Sequence, residues 1–362
     1  MVCIAAFIIF LIIWLFTPLM KLFGFKKQAN NINKMFKKSM YCFTRRATFR
    51  ACDSNFKDEI KNSILKKLIV KHKKWVKPVY WGIEISALLI VIITIWSLLT
   101  VIKSSLSLYA FGTCDVKKPE ACALNSAEAC SIDGSGSGNP VIDWFDEWKE
   151  VINAIPGRMR NWNANNFIPK NGSYYNQYEN KEDNLPTAVD IFDPGCIVCR
   201  RSFVNQKQSN FFTKHKTYLI PYVISGEKGD KFANSNLIAR YIEAVRGTQP
   251  ENGKKIAVEW EIAERIFTHK DDNKSVWQDN FNGNSGKKMS EAQVTEKLNE
   301  WMKELGYSQK QIEDIVIKLK SKEVEQKILD NRNMVEKNIQ TKKIPTMIFN
   351  GQRHDGIYKL EN

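Results

Sequence analysis

Cys196-Ile-Val-Cys199 lies where one hydrophobic period gives way to another, and that junction restricts the fold more than any other part of the chain. Before it, Thr187-Ala-Val-Asp-Ile-Phe192 is a short apolar run with the length of a buried strand, and Asp193-Pro-Gly195 has turn chemistry. After it, Phe203, Val204 and Phe211 recur at helical spacing, so the second thiol falls in the first turn of a helix. Two thiols three residues apart form a redox couple, a structural disulfide or half of a zinc site. Unpaired N–H groups and the dipole at the helix start favour a thiolate, which makes Cys196 the expected nucleophile and Cys199 the resolving thiol.

The compartment the pair faces is set by the first hundred residues. Residues 1–20 are almost wholly apolar, and residues 79–102 form a second apolar stretch with a single acid, Glu84. Each is long enough to cross roughly 30 Å of hydrocarbon as a helix. The loop between them, 21–78, holds 17 Lys+Arg against Asp53, Asp58 and Glu59. The positive-inside rule makes this loop cytoplasmic and puts everything beyond residue 102 outside the membrane. The first stretch has no basic n-region and no small-residue cleavage site, so a two-helix membrane hairpin is expected instead of a signal peptide. Of the net charge of +15, residues 1–102 carry +13. The basicity therefore reports topology and contact with anionic lipid, and no nucleic-acid partner is expected. Phe56, Ile60, Ile64 and Leu68 have helical spacing that fits either a helix lying on the inner leaflet or a solvated basic connector, and Cys42 and Cys52, on the reducing side, are expected as free thiols.

Outside the membrane, residues 103–185 read as a stalk. Cys114, Cys122 and Cys130 are evenly spaced; one disulfide among them is expected, with the third cysteine free or paired elsewhere and the pairing open. A linker-like Gly134-Ser-Gly-Ser-Gly138 follows, then an amphipathic helix through Val141, Trp144, Trp148, Ile152 and Ile155 that should stop at Pro156. Residues 186–362 have the pattern of a globular domain. A strand is expected over Tyr218–Ile224, then helices through about residues 230–340, one opening at the capping box Ser290-Glu-Ala-Gln293 and another after Ser308. Strand character returns at Lys343-Ile-Pro-Thr-Met-Ile-Phe349, and Asn350-Gly351 should turn the chain into an antiparallel partner reaching Ile357-Tyr358.

This order of elements resembles the thioredoxin fold in its DsbA-like form, with a helical domain inserted after the second strand. Ile344-Pro345-Thr346 resembles that family's segment around its cis-proline, which packs beside the cysteines and offers backbone groups to a substrate peptide. Asp190, six residues before Cys196, falls where thioredoxin-like proteins place a buried acid that moves a proton to or from the resolving thiol. The resemblance implies thiol–disulfide exchange with exported proteins, Cys196, Cys199 and Asp190 as catalytic residues, and Ile344, Pro345 and Thr346 as substrate-binding ones. It implies no cofactor and no metal, and it leaves room for a membrane redox partner.

Three departures from that family qualify the expectation. Gly195 replaces a bulky aromatic, which should leave the cysteines more open. Little chain follows the second hairpin strand, so the family's closing helix is expected to be replaced by the 141–155 helix, a partner or the membrane surface. Ile197 and Val198 supply no cation to the thiolate, so a moderately reducing couple is expected unless Arg200 and Arg201 reach back toward it. The rival reading is a thioredoxin-like docking module of an envelope assembly whose cysteines never turn over.

Overall fold

The computed structural model describes residues 2–22, 25–48, 50, 73–115, 130–131, 139–179, 184–226, 229–284, 286 and 288–358. Its contacts divide the chain into Met1–Ile102 and Lys103–Asn362.

In the first unit, α1 (Val2–Leu15) and α2 (Thr17–Leu22) split the first apolar stretch. The cause is Pro18, which has no N–H to give the Trp14 carbonyl; the Thr17 hydroxyl donates to that carbonyl instead, at 2.8 Å. At 14 residues α1 spans about 21 Å, so the first stretch is interrupted and a membrane helix over residues 1–20 is not confirmed. α1 packs on the basic helix α3 (Lys26–Ala47) through Phe7 on Phe43 (4.4 Å between ring centroids) and Trp14 on Phe36 (4.9 Å). Cys42 is disulfide-bonded, against the free thiol expected from its compartment. The Phe56–Leu68 segment also lies outside the described residues. α4 (Val76–Phe111) is 36 residues long and is the one helix among the described residues long and apolar enough to cross a membrane.

In the second unit, β1 (Cys130–Ser131) precedes α5 (Pro140–Met159). The helix does not stop at Pro156 as expected: proline removes a single hydrogen bond there, and the turn is closed by the Arg160 N–H on the Pro156 carbonyl at 3.2 Å. The central sheet is built on β2 (Thr187–Phe192), which pairs in parallel with β3 (Lys216–Pro221). Between them run α6 (Ile197–Gln208) and the short α7 (Phe211–Lys214). After β3 come the small hairpin β4 (Ser225–Gly226) and β5 (Gly229–Asp230), then the inserted helices α8 (Ser235–Val245), α9 (Val258–Thr268), α10 (Trp277–Asn282), α11 (Glu291–Glu304), α12 (Gln309–Leu319) and α13 (Lys322–Asn333). Both expected N-termini carry full capping boxes, Ser290 with Gln293 and Ser308 with Gln311.

The chain then returns through β6 (Lys343–Ile344), β7 (Thr346–Phe349) and β8 (Gln352–Asp355). The four-stranded sheet has the order β3-β2-β7-β8, mixed parallel and antiparallel. Asn350 and Gly351 both have positive φ, 48° and 76°, which is what a two-residue primed hairpin turn requires. β8 ends at Asp355, short of the expected Tyr358, whose ring instead packs on Phe349 and His354.

The insertion is fastened to the sheet by a buried polar cluster. Arg246, at the end of α8, donates to both Glu243 oxygens at 3.0 Å and to the Leu219 carbonyl of β3 at 2.9 Å. Asn331 of α13 bridges Glu243 and the Pro221 carbonyl, each at 3.1 Å. Cover for the sheet comes from just beyond α5: Trp162, Ala164 and Phe167 join the core, and the Trp162 N–H meets the Gly351 carbonyl at 2.9 Å.

Candidate thiol site

Cys196 is the N-cap residue of α6 and is fully buried. The Asp193 carbonyl accepts its N–H at 3.1 Å, and its own carbonyl accepts from Arg200 N at 3.2 Å and from Gln278 Nε2 at 3.0 Å. Its sulfur is bonded to Cys130, not to Cys199. Cys130 therefore pairs outside the Cys114–Cys122–Cys130 group, while Cys114 is itself disulfide-bonded. Cys199 is the one free thiol among the described residues and is buried. Burial pushes its thiol well above the ordinary range. The Asp193 N–H, 3.4 Å from the sulfur, favours the thiolate, whereas the carboxylates of Asp193 and Asp190 oppose it.

Two buried acids bracket this thiol. Asp190 sits in β2 opposite Leu219 and Met347, and desolvation raises its carboxyl to about 7. The Gln206 amide pulls the other way, and one carboxyl oxygen has no hydrogen-bond partner. Asp193 follows the strand, and burial raises it to about 6. Its oxygens accept from Gly195 N and Ile224 N, each at 2.7 Å, and from the Ser235 hydroxyl. In the sequence Asp193 shows only turn chemistry, and its place in Asp-Pro-Gly directly before a CxxC is the signal for its role.

Gly195 does not open the site as expected. A Cβ there would overlap Phe232 and Ser235, so the insertion fills the space left by the missing aromatic. Nor does Arg200 reach back to Cys196: its guanidinium pairs with Asp279 at 2.7 Å, and Arg201 is exposed.

The Ile344–Pro345 peptide is cis, and β6 ends at Ile344. Ile344 and Lys343 pair antiparallel with Cys130 and Ser131 of β1. The Pro345 carbonyl is taken by Gly356 N at 2.7 Å. The buried Thr346 hydroxyl donates to the Lys343 carbonyl at 2.5 Å and lies 2.9 Å from the Thr341 hydroxyl. Thr346 thus holds the loop, and Ile344 is the residue of the three whose backbone pairs with β1.

No family model matches the sequence, and no curated protein matches it. Among solved structures, the chain is similar to MdbA, a thiol-disulfide oxidoreductase from Corynebacterium matruchotii, at 16% identity and a TM-score of 0.36, over 53% of this chain and 91% of that one. A thioredoxin-like oxidoreductase from Silicibacter pomeroyi matches at 17% identity and a TM-score of 0.31, over 48% and 79%. The thiol-disulfide exchange protein alpha-DsbA2 from Wolbachia pipientis matches at 15% and 0.31, over 49% and 78%.

Proposed function

We propose that the chain is a membrane-tethered thiol–disulfide oxidoreductase that exchanges disulfides with exported proteins through Cys196 and Cys199. The observation that carries this reading is the free Cys199 thiol, buried one helical turn behind Cys196 and bracketed by two carboxyl groups. A purely structural disulfide needs neither a third sulfur nor a proton acceptor beside it.

In the reductive direction the Cys196 thiolate attacks a substrate disulfide, forming a mixed disulfide and expelling one substrate thiolate, which takes a proton from water. Cys199 then gives its proton to the Asp190 carboxylate and attacks the Cys196 sulfur. The second substrate thiol leaves, and the Cys196–Cys199 disulfide remains. Oxidation of a substrate dithiol is the same sequence reversed, with Asp190 returning the proton to Cys199. A carboxyl that titrates near 7 is matched to that exchange at neutral pH. A membrane redox partner or a small thiol resets the pair. α4 supplies the tether, and the basic 21–78 segment marks the cytoplasmic side.

The test is a trap. Because Cys130 occupies Cys196, the variant carries Cys130→Ser together with Cys199→Ser. Partners are expected to be held covalently at Cys196 in the native membrane, to be released by reductant, and to vanish when Cys196→Ser is added. If the triple variant retains the same partners without a covalent bond, the domain is a docking module and the oxidoreductase reading fails.

A further inference from the structure

The arrangement at β6 holds more than a generic exchange site. We infer that Cys130 is a third redox cysteine, an internal substrate that this chain presents to its own Cys196, so that the resting protein is an intramolecular mixed disulfide which Cys199 resolves. The inference rests on the oxidoreductase reading and gives it a built-in first substrate.

Three observations converge on it. The bond joins Cys196, at the N-cap of α6, to a residue 66 positions earlier in the chain. The same residue is held as a strand: Cys130 and Ser131 pair antiparallel with Ile344 and Lys343, immediately before Pro345. An extended peptide that adds to an open strand edge while its cysteine bonds the nucleophile is how a substrate would be gripped, by backbone pairing for affinity and sulfur for chemistry. Finally, the thiol able to undo the bond is already in place and unspent. Cys199 is free, and its sulfur is oriented by the Asp193 N–H at 3.4 Å. A disulfide serving only to tie the stalk to the domain would not need to consume the N-cap cysteine of a CxxC and leave its neighbour reduced.

The step balances without an external reagent. Cys199 loses its proton to a neighbouring carboxylate and its thiolate attacks the Cys196 sulfur. The Cys196–Cys130 bond breaks, the Cys196–Cys199 bond forms, and Cys130 leaves as a thiolate that takes a proton from water. One disulfide and one thiol stand on each side, so the chain isomerises between a closed form, with Cys196 held by Cys130 and β6 occupied, and an open form in which Cys196 is bonded to Cys199 and β6 is vacant. The ladder is only two residue pairs long, a contact that a competing extended peptide can replace. An exported protein thiol would thus meet an oxidised Cys196–Cys199 pair only after Cys130 has stepped aside.

The experiment uses the full chain in detergent, equilibrated in glutathione buffers, quenched in acid, alkylated and digested without reduction. Wild type should yield both the Cys130–Cys196 and the Cys196–Cys199 linkage. Cys199→Ser should yield only the first and Cys130→Ser only the second. With about one chain in ten open at rest, Cys130→Ser should exchange with a synthetic two-cysteine disulfide peptide about tenfold faster than wild type. The proposal is overturned if wild type contains a single linkage across all glutathione ratios, a result that needs no variant to fold. It is equally overturned if Cys130→Ser, with unchanged circular dichroism, reacts with the peptide at a measurable rate equal to wild type. Failure of the underlying function looks different: both linkages interconvert, which supports the internal step, but neither protein reacts with the peptide.

Discussion

The two acidic regions around Cys199 are buried alike and built differently. At the turn after β2, Asp193 is fully committed: Gly195 N, Ile224 N and the Ser235 hydroxyl converge on its oxygens, joining the strand end, the approach to α6 and the start of α8. Within β2 itself, Asp190 has an oxygen with no partner and a carboxyl held near neutrality. The difference separates scaffold from chemistry, because a carboxylate saturated with donors holds structure while an unsatisfied one can move a proton. The largest expected effect follows from the saturated side. Asp193→Ala strands three donors in a buried site at a cost of roughly 3–6 kcal/mol, read as lost stability in denaturant unfolding. A loss under about 1 kcal/mol would show that the cluster does not hold the site together.

Asp190 should behave in the opposite sense. Its carboxyl rises from 3.8 to about 7 on folding, so its stabilising contribution is fully present below about pH 4 and lost as pH climbs through 7. Asp193 follows the same course toward about 6. Wild type should therefore lose stability between pH 4 and 7, and Asp190→Asn should remove the part that Asp190 causes. The variant is expected to gain roughly 2–4 kcal/mol relative to wild type at pH 8, compared with their difference at pH 4, in unfolding series at fixed ionic strength. The same substitution removes the proton acceptor, so resolution of a mixed disulfide should slow on the order of a hundredfold at pH 7. A variant both more stable and slower is the signature of a group kept for chemistry. If resolution keeps its wild-type rate and pH profile, Asp190 is only an uncomfortable core residue.

How much of this was legible beforehand depends on the range of the interaction. The strand–turn–CxxC–helix junction, the capping boxes at Ser290 and Ser308, and the Asn350-Gly351 hairpin are local, and each carries its own chemistry within a few residues. Asp190 was visible only through the resemblance, which puts a buried acid six residues before the first cysteine. The Cys130–Cys196 bond was not, since equal spacing among three cysteines suggests pairing near to hand and nothing local favours a partner 66 residues away. Gly195 misled for the same reason: the atoms that fill its missing side chain come from Phe232 and Ser235 in the insertion. The break at Pro18 could have been read, because its ring forbids the bond to Trp14; a purely hydropathic count of residues 1–20 passed over it.

Two smaller effects sharpen the contrast between scaffold and chemistry. Gly195→Ala should cost roughly 1–3 kcal/mol by pushing on Phe232 and Ser235 while leaving the thiol chemistry intact, so thermal unfolding should shift and the single-turnover exchange rate should not. The least effect is expected at Arg200. Its guanidinium is 2.7 Å from Asp279, with both side chains about one-fifth exposed, so Arg200→Ala should cost about 1 kcal/mol or less. Its charge is spent on that partner, which leaves the first turn of α6 with backbone N–H groups and the apolar Ile197 and Val198 beside the thiols. The potential of the Cys196–Cys199 pair in glutathione buffers should then move by less than about 15 mV in Arg200→Ala. A shift of about 30 mV toward a more reducing couple would mean about 1.4 kcal/mol of thiolate stabilisation from Arg200, and would return a cation to a site otherwise supported by dipoles alone.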